Sequence, residues 1–204
     1  MKRSGCLIAG LVVLGLVVIF GLYLVGVYNS LVGAEQAVEA QWAQVQNVYQ
    51  RRADLVPNLV ATVKGSANFE QQTLQQVVEA RSRVGQITPQ ATAAILNDPQ
   101  KFAQFQQAQD GLSSALSRLM VVVERYPELR SVQAFQDLMV QLEGSENRIA
   151  VERRSFNQVA QDYNTRIKRF PAAVFARMMG FEPKAYFQVQ AGAETAPKVD
   201  FGNR

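Results

Sequence analysis

Apolar and polar positions follow two regimes along this chain. From Ser4 to Ala34 no residue is charged, and the run CLIAGLVVLGLVVIFGLYLVGVY is apolar almost without a break. At about 1.5 Å per residue, about 21 residues cover the roughly 30 Å hydrocarbon core of a bilayer, so this run predicts a membrane helix. Beyond Tyr28 the apolar residues return in steps of three and four, the spacing of one helix face, with no sustained alternation of period two. Few glycines and abundant Ala, Gln, Glu, Leu and Arg favour the same state.

Four helical segments emerge from the second regime. The first carries Leu31, Val38, Val45 and Arg52 at intervals of seven, with Trp42 and Tyr49 on the adjoining edge. The second runs from Val56 to Val84, with Asp54 as its cap and Pro57 in its first turn, where no intrahelical N–H bond is needed. The third runs from Phe102 to Tyr126, after a long loop at 85–99, and the step at Tyr126-Pro127 makes its link to the fourth short. The fourth runs from Val132 to Phe170. The expectation is an all-α protein: a single N-terminal transmembrane helix followed by a long, coiled-coil-like antiparallel four-helix bundle. Its parts are the short N-terminus and anchor at 1–28, the bundle at 29–170, an aromatic segment at 171–190 and a flexible tail at 191–204.

These limits leave an imbalance. Counted from the Tyr126-Pro127 step, the fourth segment has about 43 residues and is roughly 65 Å long, whereas the first offers about 36 Å beyond Tyr28. The excess predicts an overhang, a bend near Gly144, or packing against something outside the bundle.

Charges stand on the apolar lines: Arg52, Glu70, Arg81, Glu146 and Arg153, together with Gln109. One reading puts them at stripe edges, where a long side chain reaches water while its stem packs. The other is an interhelical ion network that fixes register more than it adds stability.

Composition removes whole classes of chemistry. The chain has no histidine and one cysteine, Cys6, which rules out intramolecular disulfides, Cys/His zinc sites, His-dependent triads and Glu-x-x-His di-iron sites. No glycine-rich loop follows a strand, so no P-loop or Rossmann phosphate cradle is expected, and no cofactor. Ser145 and Ser155 flank the charged stripe, an ordinary helix-surface arrangement that does not make a nucleophile. Lys+Arg exceed Asp+Glu by 21 to 17, and two of the cations, Lys2 and Arg3, precede the apolar run, so a nucleic-acid partner is not expected. The same two cations, with no other basic residue before Arg51, place the N-terminus in the cytoplasm and the bundle outside. A signal peptide cleaved after Ala34 is the competing reading, but the apolar core exceeds the usual 7 to 15 residues. The adjacent pairs Arg51-Arg52 and Arg153-Arg154 read as one networked and one solvated arginine each, or as an anion or headgroup site.

Near the C-terminus Arg166, Lys168 and Arg169 lead into FPAAVFARMMGF, with Phe170, Phe175, Met178, Met179 and Phe181. Three readings stand open: a surface segment on anionic lipid, a protein contact, or ordinary core capping the base of the bundle.

YNSLV at 28–32, YQRRADLVPNLVATVKG at 49–65, VVEAR at 77–81, VERYPELRS at 123–131, LEGSENRIAVERRSFNQVAQDYN at 142–164 and FPAAVFARMMGFEPKAYF at 170–187 together resemble the LemA family. The resemblance implies a single-pass bacterial membrane protein with an antiparallel helical bundle, and no agreed activity. With the overhang and the aromatic segment, it leads to the expectation of a non-enzymatic scaffold in the bacterial cytoplasmic membrane. Such a scaffold self-associates through the fourth helix and the C-terminal segment to organise or shape the bilayer or recruit partners. The alternative is a membrane-anchored sensor or adaptor bundle that binds a ligand or a partner protein. A third, enzymatic reading requires a cleft with perturbed carboxylates around Glu70 and Glu146.

Overall fold

A computed structural model describes residues 2–65, 69–87 and 93–188; the tail expected at 191–204 and residues 88–92 of the long loop lie outside them. Among the described residues all regular structure is helical. The elements are α1 (Lys2–Lys64), α2 (Gln71–Ile87), a 3-10 turn (Ala93–Asn97), α3 (Pro99–Val123), α4 (Pro127–Arg130), α5 (Gln133–Lys168) and α6 (Ala172–Met178).

The apolar run and the first amphipathic stripe are one helix of 63 residues. Its first part is long and apolar enough to cross a membrane, and from Leu11 to Phe20 every side chain but the glycine's is an exposed hydrophobe. The expected start of a second helix at Asp54 is not there. Helix α1 continues through Asp54 and Pro57 to Lys64, and Asp54 accepts a hydrogen bond from Gln50 one turn back (2.8 Å) instead of capping.

The physical reason lies in the stripe, which keeps phase across the proline: Arg52, Val56, Leu59, Val60 and Val63 are all buried. A proline inside a helix has no N–H to give to the carbonyl four residues earlier. That carbonyl belongs to Ala53, and Arg81 reaches across from α2 to donate its Nε–H to it at 3.1 Å. A side chain thus supplies the bond that Pro57 cannot, and the helix passes through.

This extension removes the expected overhang. From Tyr28 to Lys64, α1 offers about 37 residues, or roughly 55 Å, and the 36 residues of α5 span roughly 54 Å. The two helices run antiparallel: Ser30 meets Arg166, Gln41 meets Glu152 and Arg52 meets Glu146. Asp98 caps α3, its Oδ1 accepting from the N–H groups of Gln100 and Lys101 at 3.0 and 3.1 Å, with Pro99 at the first helical position. Those bonds to the anion hold the Asp98 carboxyl below its ordinary pKa.

Two apolar cores lie end to end. The one nearer the apolar end of α1 gathers Leu31, Val38, Trp42, Val45, Phe105, Phe156, Tyr163 and Phe187; Trp42 is ringed by Phe102, Phe105, Phe156 and Phe187 at centroid distances of 5.1 to 6.2 Å. The far core joins Val56, Leu59, Val63, Val77, Leu112, Leu119, Phe135 and Leu142. Helix α2 places all its buried apolar residues in the far core and reaches the near one only with Ile87 at its end. In the near core its place is taken by the 3-10 turn, through Ile95 and Leu96, and by the extended segment after α6, through Phe187.

The proline and the arginine should be energetically coupled. Arg81→Ala is expected to cost about 1 kcal/mol in the parent and close to nothing in a Pro57→Ala background, where the amide donor returns. Denaturant unfolding of the four members of that cycle, followed by helical circular dichroism, measures the difference; equal costs in both backgrounds would show the contact to be incidental.

Candidate functional site

Helices α1, α3 and α5 each interrupt their stripe with polar groups at the boundary between the two cores. On α1 Arg52 follows Tyr49 and precedes Val56; on α3 Gln109 lies between Phe105 and Leu112; on α5 Glu146 lies between Leu142 and Ile149. The guanidinium of Arg52 is 1% exposed and binds both partner helices. Its Nη1 donates to Ser113 Oγ at 2.5 Å and Glu146 Oε1 at 2.8 Å, and its Nη2 donates to Gln109 Oε1 at 2.6 Å and the Gln109 carbonyl at 3.1 Å. The plane of donors lies 5.2 Å from the centre of the Tyr49 ring. A second ion pair joins Arg153 to Asp110 at 3.2 Å, and Arg153 also covers the Phe187 ring at 4.6 Å. Two polar atoms in this layer, Tyr49 Oη and Arg52 Nε, are buried with no partner among the described residues. Tyr49, Arg52, Asp110, Ser113, Glu146 and Arg153 line an open cleft of about 500 Å³.

Of the five residues expected to form one network, Arg52 and Glu146 meet directly, and Arg153 sits beside them on its own carboxylate. Glu70 and Arg81 belong elsewhere: Glu70 stands just before α2 and accepts from Thr73 Oγ1 at 3.3 Å, while Arg81 serves the Ala53 carbonyl. The two carboxylates weighed for a catalytic cleft, Glu70 and Glu146, are therefore not brought together. Ser145 bonds its own helix, donating to the Gln141 carbonyl at 2.8 Å. No group of three or more Cys, Asp or Glu among the described residues could hold a metal ion.

The segment after α6 forms a strap across the near core, and side-chain amides hold it as strand neighbours would. Asn164 accepts from the Lys184 N–H and donates to its carbonyl, both at 2.8 Å; Asn157 does the same for Phe187 at 2.9 Å; Gln106 does so for Gln188 at 3.1 and 2.8 Å. Lys184 is buried, its ammonium donating to Glu35 at 2.5 Å and Asn97 at 2.7 Å and lying 5.3 Å from the centre of the Tyr163 ring. Burial, reinforced by Glu35 and Glu182, raises the pKa of the Tyr163 phenol. Sequence reasoning missed this strap. Its visible signal is Asn157 and Asn164, seven apart on the flank of the α5 stripe; nothing local marks Lys184 as buried.

The aromatic segment is divided. Ala176 is buried, and Phe175 and Phe181 are half-buried against α1, whereas Phe170, Val174, Met178 and Met179 are exposed. Arg166 donates to Ser30 Oγ at 3.3 Å, and Lys168 and Arg169 are exposed at the end of α5.

Comparison with known proteins agrees with the motifs. The model of the LemA family matches residues 41–201. Magnetosome protein MamQ 2 of Paramagnetospirillum magneticum is 30% identical over 182 residues, covering 82% of this chain and 67% of its own length. Magnetosome protein MamQ of Magnetospirillum gryphiswaldense is 28% identical over the same shares. Protein LemA of Metamycoplasma hominis is 22% identical over 170 residues, 83% of this chain and 73% of its own length. The chain belongs to the LemA family.

The dry side of the ion pair should dominate its energetics. Glu146 is 40% exposed at the side chain, so Glu146→Gln should cost about 1 kcal/mol. Arg52→Met strands the acceptors of Gln109 and should cost about 3 to 5 kcal/mol, much of it recovered by adding Gln109→Leu. Equal losses for the two single variants, read from unfolding midpoints, would refute this ordering.

Tyr49 gives the layer an alkaline limit. Burial outweighs the lowering pull of Arg153 and Arg52 and pushes its phenol from 10.0 up to about 12. Because the folded pKa is the higher one, the contribution is intact below about pH 10 and is lost as pH rises toward 12, by about 1.4 kcal/mol per pH unit. Tyr49→Phe should remove that slope and leave stability at pH 7 unchanged or raised by about 1 kcal/mol, since it deletes an unpartnered buried hydroxyl. Alkaline unfolding curves of parent and variant that stay parallel would contradict the assignment.

Proposed function

We propose that this LemA-family chain is a non-enzymatic, single-pass scaffold of the bacterial cytoplasmic membrane. Its helical body, read as an antiparallel bundle, lies on the extracytoplasmic side and self-associates along the outer face of α5. The retained anchor is supported by the continuity of α1: cleavage after Ala34 would cut the helix and remove Leu31, which is 2% exposed, from the near core. The orientation rests on Lys2 and Arg3 ahead of the apolar run. The non-enzymatic reading is supported by the occupation of the polar layer, where Glu146 and Asp110 are engaged by arginines that tie helices together.

One observation carries self-association now that no overhang remains. Val140 and Val151 are 71% and 54% exposed on α5, with Gly144 between them and open space where its Cβ would be. Val140, Gly144, Asn147 and Val151 share one face at helical spacing, so a neighbouring helix can approach closely there. A rigid body that repeats side by side at a fixed distance from the bilayer would organise the membrane beneath it. The sensor or adaptor reading has its own observation, the open cleft with the unpartnered Tyr49 Oη and Arg52 Nε.

The mass of the intact protein extracted gently into detergent, measured by light scattering with detergent subtracted, tests the choice. A discrete particle of several chains is expected, reduced to a single chain by Val140→Arg with Val151→Arg at unchanged helix content. A single-chain parent would overturn the scaffold and favour the sensor or adaptor.

A further inference from the structure

Helix α6 hangs on the apolar part of α1. Phe175 meets Phe20 edge-on at 6.4 Å between ring centres, and Phe181 meets Tyr28 in the same way at 6.0 Å. A hydrocarbon core takes about 21 residues of helix, and every such window within the uncharged run from Ser4 to Ala34 contains Phe20. Given the anchor proposed above, on which this inference rests, a side chain packed against Phe20 is inside the bilayer. With Tyr28 at the interface, Phe20 lies about eight residues deeper, or roughly 12 Å.

The rest of α6 suits that solvent. Phe170 and Met178 are 84% and 81% exposed, and Val174 and Met179 are exposed beside them. The protein leaves Phe170 and Met178 almost uncovered and about half of Val174 and Met179 bare. A backbone entering hydrocarbon must satisfy most of its polar groups internally, and this one closes part of each end on itself, its remaining end groups lying at the turns. Pro171 has no N–H to satisfy; Ala173 N–H donates to the Arg169 carbonyl at 2.8 Å and Val174 N–H to that of Pro171 at 3.2 Å. At the far end Met179 N–H donates to Phe175 at 2.9 Å and Phe181 N–H to Ala176 at 3.0 Å, a closure that requires the left-handed backbone of Gly180, φ +79°. Arg166, Lys168 and Arg169 precede the helix at headgroup height, and Arg177 has a stem long enough to reach that level.

We propose that α6 is a second membrane element, a short re-entrant helix seated in the leaflet on the body's side and packed on α1 at Phe20. Its occupant is lipid: acyl chains around Phe170, Val174, Met178 and Met179, and anionic headgroups at the cations.

The test uses the full chain with Cys6→Ser in nanodiscs containing anionic lipid, with a nitroxide on one new cysteine at a time: Met178→Cys on α6, Val18→Cys on α1 and Val121→Cys on α3, which is exposed and outside the proposed contact face. Collision rates with oxygen, which partitions into hydrocarbon, and with a water-soluble nickel chelate are compared, and circular dichroism confirms equal helix content. The expected oxygen-to-nickel ratio at position 178 matches that at 18 and exceeds that at 121 several-fold. A nickel-dominated ratio at 178 with a lipid-like ratio at 18 overturns the proposal and leaves the anchor standing. Low collision with both reagents at 178 overturns it too, because protein then covers α6. A water-like ratio at 18 itself would overturn the anchor, and this proposal with it.

Discussion

The buried guanidinium of Arg52 is the constraint on which the rest of the body depends. Removing an arginine from water costs several kcal/mol unless its donors are met, and both Nη atoms of Arg52 are met by acceptors on α3 and α5. A helix slipped by one turn past its neighbour, roughly 5.4 Å, would leave the charge facing apolar side chains. The cores on either side cannot supply that discrimination, because Val, Leu and Phe against Val, Leu and Phe tolerate a shifted register far better than a charge does. The polar layer therefore sets register, and the two cores on either side of it supply the apolar burial.

The layer also marks where the fourth member of the assembly changes. Beyond it α2 completes the packing; on the near side an extended strap does so, held by three side-chain amides that pair with its backbone in both directions. An extended segment exposes its peptide groups, which a helix does not, so the helices facing it must present donor and acceptor together, as Asn and Gln do. Arg153 belongs to both arrangements, paired with Asp110 in the layer and lying over Phe187 of the strap.

Much of this was legible in the sequence, and what was not has identifiable causes. Apolar periodicity gave the helical class, the stripes of α3 and α5 and the charged positions Arg52 and Glu146, because these follow from which residues face inward on a regular helix. The boundary at Asp54 misled because Asp followed three residues later by Pro is a sound local signal for a helix start; the bond from Arg81 that overrides it comes from 28 residues away. The strap was unreadable for a similar reason. Lys184 looks solvated in sequence, and only the convergence of Glu35, Asn97 and the Tyr163 ring makes its burial tolerable.

Continuity of α1 changes what the apolar run does mechanically. A flexible linker at the bilayer would let the body tumble, whereas one unbroken helix from Lys2 to Lys64, serving as the proposed anchor, would make the tilt of the body that of the membrane segment. A single helix still leaves rotation about its own axis free. The contacts of Phe175 with Phe20 and of Phe181 with Tyr28 bring α6 against one side of α1, and the strap ties the same stretch of chain to α3 and α5. Seated in a leaflet, α6 would give the anchor an off-axis foot beside its axial one. Two such feet would fix the azimuth of the body as well as its tilt, and the scaffold proposed above, whose α5 faces must meet, would need both angles held.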